Sequence, residues 1–560
     1  MRNGHRPLLA ATTMAVVTTG VAYLFGPGAA PADSEAGRAA AAAGPATGQA
    51  KTATGQGKAA TGEGRPAAAH PAAAKSGRAA GAEACEVSPK YPKRQLRGVW
   101  IATVHNVDWP SKTGLDAARQ QAEYVRILDN AVKRNLNAVF VQVRPASDAI
   151  YKSPYEPWSQ WLTGTAGRDP GWEPLPFLIA EAHKRGLEFH AWFNPYRAAD
   201  KDNLAKLPAN HPARLHPGWV VKHEGRLYYN PGLPEVRAHT VKVIKDVVQR
   251  YDIDGVHFDD YFYPYPGKGT KFADTAAFTK YGKGMSLAAW RRENVNTLVA
   301  QAGAAVHEAK PYVKFGISPF GIWRNKSNDP AGSDTKGLSA YDAIYADARA
   351  WIKSGSIDYV MPQIYWPRGF AAADYAKLVP WWANQVKGTG VHLYIGQALY
   401  RVGARDVAAW TKAGELPAHL TLNRKYPEVQ GDVYFSAAQL GKNPLGVLDA
   451  LVKDHYPRPA LPPLVAGRGG AAPAVPSGLG LAGGTLGWKS SPEAASYAVY
   501  RVASAKPDGC ATADGRNLLA VVPAAGTAGQ SYAVPGGGAY LVTALDRLGN
   551  ESAPATAVLP

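Results

Sequence analysis

Between Leu96 and Tyr456 the chain alternates between two kinds of hydrophobic pattern. Short runs rich in β-branched, aromatic and aliphatic residues occur at Arg97–Val104, Asn137–Val143, Leu187–Phe193, Gly255–Asp259, Val313–Ser318, Tyr359–Tyr365, His392–Gln397 and Asp432–Ser436. Between them lie longer stretches whose apolar residues recur at helical spacing, such as Ala117–Arg134, Pro234–Tyr251 and Tyr341–Lys353. Eight strand–helix units over ~360 residues predict an α/β fold, a (β/α)8 TIM barrel, spanning residues 89–457. A doubly wound open sheet is the rival, but no Gly-rich dinucleotide turn follows a predicted strand. Extra length after the second, third and fourth strands is what loops building a substrate groove require.

Patterning also marks the flanks. Arg2, His5 and Arg6 precede an apolar run from Leu8 to Phe25, and Ala30-Pro31-Ala32 follows as a small-x-small site. Residues 1–32 therefore read as an export signal, with an uncleaved anchor as the alternative. Either reading puts the rest of the chain outside the cytoplasm, secreted or bound to the cell wall, touching a membrane only if the segment stays uncleaved. Residues 33–88 are Ala, Gly, Lys and Pro with almost no large apolar side chain, which predicts a disordered tether. A Pro- and Gly-rich linker covers 458–477. Residues 478–560 show short alternating strands at Leu486–Trp488, Ser496–Val502, Leu518–Val522 and Ala539–Leu545, which predict a small all-β sandwich.

Composition narrows the function class. Net charge is +18 over 560 residues, yet there is no dense Lys/Arg run, zinc-finger or P-loop pattern, so nucleic acid is not expected as a partner. An anionic wall or a polysaccharide substrate suits the charge. Two cysteines, Cys85 and Cys510, exclude an ordinary Cys-based zinc site and leave open whether they are bridged. No HExxH or compact His/Asp spacing appears, and no GxSxG elbow. Neither a metal nor another cofactor is expected.

In a TIM barrel, chemistry belongs at the C-terminal strand ends. Alternation on the fourth strand aims Gly255, His257 and Asp259 inward, and Val256 and Phe258 outward. Asp259 then stands at the mouth with Asp260 next to it, followed by Tyr261, Phe262, Tyr263 and Tyr265. Asp259 is the first candidate for a catalytic carboxylate and Asp260 the second. By parity the two diverge unless a bulge turns the strand end, so Asp148 and Asp108 are candidate partners. Other strand ends offer Gln142, Arg144 and Asp148; Trp192, Asn194, Tyr196 and Arg197; Ser318 and Arg324; and Gln363, Tyr365 and Trp366. With His257 and Tyr261, the group from Arg144 to Trp366 forms the candidate substrate-binding set. Its flat apolar faces and polar groups suit a hydroxyl-rich ligand.

Seven ordered motifs carry a family resemblance. They are Arg97-Gly-Val-Trp-Ile-Ala-Thr, Gln142-Val-Arg-Pro-Ala-Ser-Asp148, Ala191-Trp-Phe-Asn-Pro-Tyr-Arg197, Asp254-Gly-Val-His-Phe-Asp-Asp-Tyr261, Trp290-Arg-Arg-Glu-Asn294, Gly316-Ile-Ser-Pro-Phe-Gly321 and Met361-Pro-Gln-Ile-Tyr-Trp366. Together they resemble the glycosyl-hydrolase-like family ten domain over the whole barrel. The resemblance implies a TIM barrel that hydrolyses polysaccharide; bacterial relatives include an envelope enzyme that cuts peptidoglycan strands lacking stem peptides. The fourth strand also distantly resembles the chitinase-type Asp-Gly-x-Asp-x-Asp-x-Glu motif. Here His257 replaces the middle Asp and Tyr261 stands at the Glu, so a direct chitinase mechanism does not carry over. Trp488, Tyr497, Tyr500 and the Tyr540–Ala544 strand resemble a fibronectin type III module. The expected activity is that of a glycoside hydrolase acting on a cell-wall glycan such as peptidoglycan. If the sugar is N-acetylated, its own amide can be the nucleophile. A non-catalytic wall-binding protein is the alternative.

Overall fold

The computed structural model describes residues 85–267, 269–465, 467–503 and 509–559. The expected export signal and nearly all of the tether lie outside the described residues.

Eight parallel strands close into a barrel. The first three are β1 (Leu96–Ile101), β2 (Ala138–Arg144) and β3 (Glu188–Phe193). The long connection after β3 carries an antiparallel sheet of β4 (Arg197–Ala199), β5 (Val220–His223) and β6 (Arg226–Tyr229), in the order β4-β6-β5. The barrel continues with β7 (Gly255–Phe258), β8 (Lys314–Ile317), β9 (Tyr359–Val360), β10 (His392–Gln397) and β11 (Val429–Tyr434), and β11 pairs with β1 to shut it.

The helices form as the apolar spacing predicts. Ala117–Val132 buries Gln120, Tyr124, Leu128 and Ala131, one face at intervals of three and four, and Asp116 caps it by accepting from the Arg119 backbone N–H. Pro234–Arg250 begins on proline, whose missing N–H costs nothing in a first turn. The helix expected over Tyr341–Lys353 is broken into Ala340–Ala343 and Ala348–Ser354, with Tyr345 between them at φ 57°. Strand β9 stops at Val360, well short of the expected Tyr365, because Pro362 has no N–H for the ladder.

The barrel interior is filled by Leu96, Trp100, Phe140, Trp192, Tyr359, Met361, Tyr394, Val433 and Phe435, while outward residues such as Val256, Phe258 and Phe315 meet the helices. Such bulk requires small neighbours. A Cβ on Gly255 would sit 2.2 Å from the His190 ring, and one on Gly316 would sit 2.3 Å from the Tyr359 ring.

After the barrel come two packed sheets, the expected sandwich. They comprise β12 (Ser477–Ala482), β13 (Thr485–Lys489), β14 (Ser496–Val502), β15 (Leu518–Pro523), β16 (Gly529–Ala533), β17 (Gly538–Leu545) and β18 (Ala555–Leu559). Their orders are β12-β13-β16 and β15-β14-β17-β18. Trp488, Tyr497, Val499, Tyr540 and Val542 are buried between them. The sandwich docks at the N-terminal ends of the barrel strands. Arg547 donates to Asp252 at 2.5 Å and to Asp254 at 2.9 Å, just before β7. In the linker leading to the sandwich, Arg468 pairs with Asp358, just before β9. Cys85 and Cys510 form a disulfide. The opposite face, with the strand C-termini, is left clear.

Candidate active site

A pocket of about 410 Å³, counting its open mouth, sits at the C-terminal ends of the strands. Trp100, Ala102, Gln142, Trp192, Arg197, Asp259, Asp260, Tyr261, Ser318, Gln363, Tyr365 and Phe435 line it. Strand alternation accounts for most of this. On β7, His257 points into the barrel and Asp259 continues that side one step beyond the last strand residue.

His257 forms the floor. The Trp100 indole N–H donates to its Nε2 at 3.1 Å, Ser318 Oγ lies 3.0 Å from the same nitrogen, and Tyr359 OH lies 3.2 Å from Nδ1. An indole only donates, so Nε2 is the acceptor and the proton sits on Nδ1. Burial holds the ring's pKa well below the usual histidine range. This neutral ring is a support beneath the pocket.

Asp259 is 5% exposed. Its Oδ2 accepts from Trp192 Nε1 at 2.9 Å and Asn194 Nδ2 at 3.1 Å, and its Oδ1 from the Tyr261 backbone N–H at 3.1 Å. Burial, and then repulsion from Asp260, push its pKa up to about 7, against the pull of these donors and of Arg197. Asp260 is 2% exposed. It accepts from Gln363 Nε2 at 2.9 Å and from the Tyr265 hydroxyl, and burial raises its pKa too. The expected divergence of the two carboxylates does not occur. Strand pairing ends at Phe258, so alternation no longer governs Asp260, and Gln363 and Tyr265 draw its side chain to the pocket wall.

The other sequence candidates divide into two groups. Trp192, Arg197, Tyr261, Ser318, Gln363 and Tyr365 line the pocket, and Asn194 stands behind Asp259. Arg144 is instead enclosed beneath the site. A bulge between Gln142 and Arg144 pairs Gln142 with Trp192 on the inward side and Arg144 with Phe193 on the outward side. There Arg144 grips Glu156 at 2.8 and 2.6 Å and donates to the Asn194 carbonyl. Asp148 is buried and accepts from the Ala146 backbone N–H. Tyr196 is fully buried in the helix-side core. Arg324 pairs with Asp329 and Asp342 in the loop beyond β8, and Trp366 packs edge-on against Phe320 outside the lining. Asp108 accepts from Ala102 N–H at 2.8 Å, Ser436 Oγ at 2.6 Å and Ala438 N–H at 2.7 Å, tying the ends of β1 and β11 together under the rim. Trp100, Ala102 and Phe435 were not among the candidates. Parity on β1, where Gly98, Trp100 and Ala102 alternate inward, would have found the first two. Among the described residues no three His, Cys, Asp or Glu side chains converge as metal ligands.

The arrangement brings two buried carboxylates and the aromatic side chains of Trp100, Trp192, Tyr365 and Phe435 to one pocket. The glycosyl hydrolase-like 10 family model matches residues 95–412. The glycosyl hydrolase YngK of Bacillus subtilis is 48% identical over 483 residues, covering 82% of this chain and 92% of that protein. The glycosyl hydrolase DigH of Escherichia coli K12 is 41% identical over 369 residues, covering 62% and 84%. Among solved structures, the glycoside hydrolase domain of PgaB (BpsB) from Bordetella bronchiseptica superposes with a TM-score of 0.45 at 15% identity, over 65% of this chain and 99% of that one.

Proposed function

The chain belongs to the glycosyl hydrolase-like 10 family, and from that premise we propose that it is an exported glycoside hydrolase that cuts an N-acetylated cell-wall glycan such as peptidoglycan strands. The observation that carries the reading is the Asp259–Asp260 pair, the carboxylates of the pocket lining. Both reach the pocket from one strand end. They approach a glycan from one side, whereas an ordinary hydrolase sets its acid and its base or nucleophile on either side of the bond. That favours a route in which the substrate supplies the second group. The acetamido carbonyl oxygen attacks the anomeric carbon as the glycosidic C–O bond breaks. Asp259, which keeps a proton near neutral pH, gives it to the leaving oxygen. Asp260 orients the acetamido N–H and takes its proton as the cyclic intermediate forms; water then attacks the anomeric carbon and gives a proton to Asp259, while Asp260 returns its proton to the amide nitrogen as the ring opens. Trp100, Trp192, Tyr365 and Phe435 supply flat apolar faces for sugar rings.

The amino-terminal charge and apolar pattern support export, and the Cys85–Cys510 disulfide suits an oxidising compartment. The three-plus-four strand order of the sandwich supports a fibronectin type III-like spacer, docked away from the mouth. The test is turnover on peptide-free peptidoglycan, chitin and plant polysaccharides, each N-acetylated glycan paired with its de-N-acetylated form. Hydrolysis confined to the N-acetylated members is expected. Equal cleavage of the de-N-acetylated forms would overturn the substrate-assisted route, and binding without cleavage would favour a wall-binding protein.

A further inference from the structure

One charged group in the pocket has no part in that route. Arg197 is only 3% exposed, yet its side chain lines the pocket. Its Nε is sealed from solvent without a hydrogen-bond partner. Among the described residues its guanidinium donates no hydrogen bond and makes no ion pair; its backbone N–H donates to Asn194 Oδ1 at 2.8 Å. The planar group lies over the Tyr261 ring at 4.5 Å from the centroid, which fixes its orientation. Its charged surroundings are Asp200, Asp259 and Asp260. Against burial, which disfavours the cation, Tyr261, Asp200, Tyr228 and Asp259 favour it and prevail, so the guanidinium stays charged. What it lacks is a direct acceptor, and a buried guanidinium with unmatched donors is costly unless a ligand accepts from it.

We propose that Arg197 is a specificity-determining residue that selects a glycan carrying a carboxylate on the sugar at the scissile bond. A guanidinium offers a rigid fork of donors that matches a carboxylate through two parallel hydrogen bonds, which an ammonium or an amide cannot reproduce. A phosphate dianion fits less well, because the Asp259–Asp260 wall adds repulsion with each further negative charge. The proposal rests on the hydrolase reading and narrows its substrate class.

The test uses the full protein and one matched pair of glycans. The first is peptide-free peptidoglycan strands, whose alternate sugars carry a free carboxylate. The second is the same strands with those carboxyls reduced to alcohols. The native protein should favour the acid form at least ten-fold in kcat/KM. Arg197→Gln should bring that ratio close to one, and Arg197→Lys should restore part of it; thermal unfolding of each variant confirms folding. A native ratio near one, or an equal loss on both glycans in Arg197→Gln, overturns the proposal. Affinities for the two glycans are measured alongside. If neither is cleaved, the hydrolase reading fails, and a ten-fold affinity preference for the acid form that Arg197→Gln abolishes still upholds anion selection. Equal affinities sink it independently.

Discussion

The proposed chemistry rests first on the Asp259 side chain. Its folded pKa of about 7 exceeds the unfolded aspartate value of about 3.9, so its contribution to stability is fully present below pH ~4 and is lost as pH rises through ~7. Asp259→Asn removes the charge but keeps the shape. Turnover should fall by on the order of 10³-fold or more. The thermal midpoint of the variant, relative to the native protein, should rise between pH 5 and pH 8, by the equivalent of a few kcal/mol at most. Unfolding scans and initial rates across that range check both; near-normal turnover would return the search to other acids. The rate of the native protein should decline on the alkaline side near pH 7, as the acid loses its proton. Asp260→Asn removes the repulsion that lifts Asp259, so the alkaline limb of its residual activity should move to lower pH. Strand alternation made His257 and Asp259 legible in the sequence, because β7 is regular through Phe258. Asp260 was read less well, since its direction depends on Gln363, a residue 103 positions away.

At the scale of elements, the bulge in β2 decides which side chains reach the pocket. Alternation keeps Gln142 inward, where it accepts from the Thr103 and Val104 backbone N–H groups at 3.1 and 2.9 Å, and the one extra residue after it sends Arg144 outward to Glu156. A bulge has no reliable signature in Gln-Val-Arg, and so Arg144 read as a substrate contact. Its enclosed ion pair gives a distinct prediction. Arg144→Met should cost about 3–5 kcal/mol by stranding the Glu156 charge, whereas Arg144→Met with Glu156→Leu should recover most of that. Denaturant unfolding of the three proteins measures it; a double variant no better than the single one would contradict the assignment. The eight barrel strands were legible from their apolar runs. The break at Ile344–Asp347 was not, because it answers to a tertiary contact, the bond from Arg291 to the Tyr345 hydroxyl at 2.8 Å.

Across the whole molecule, the sandwich is held to the barrel by separate ties. Cys85–Cys510 joins positions 425 residues apart, Arg547 reaches Asp252 and Asp254 before β7, and Lys93 and Arg94 meet Glu551 at 2.7 and 3.3 Å. The segment that composition marks as a linker is partly packed as well, with Ala460, Leu461 and Val465 buried. Elastase should therefore cut first among the exposed residues 469–472 and spare 459–465. The two fragments should run together without reductant and separate with it; rapid cleavage at 459–465 would contradict this packing. These ties lie opposite the mouth, so the sandwich leaves the glycan's approach open. The measurement that bears most directly on the whole account is mass spectrometry of products from peptide-free peptidoglycan strands incubated with the protein in ¹⁸O-labelled water. The account predicts shorter strands, each new reducing end carrying one labelled oxygen. Strands that bind but stay intact, or shorten without taking up label, would contradict it.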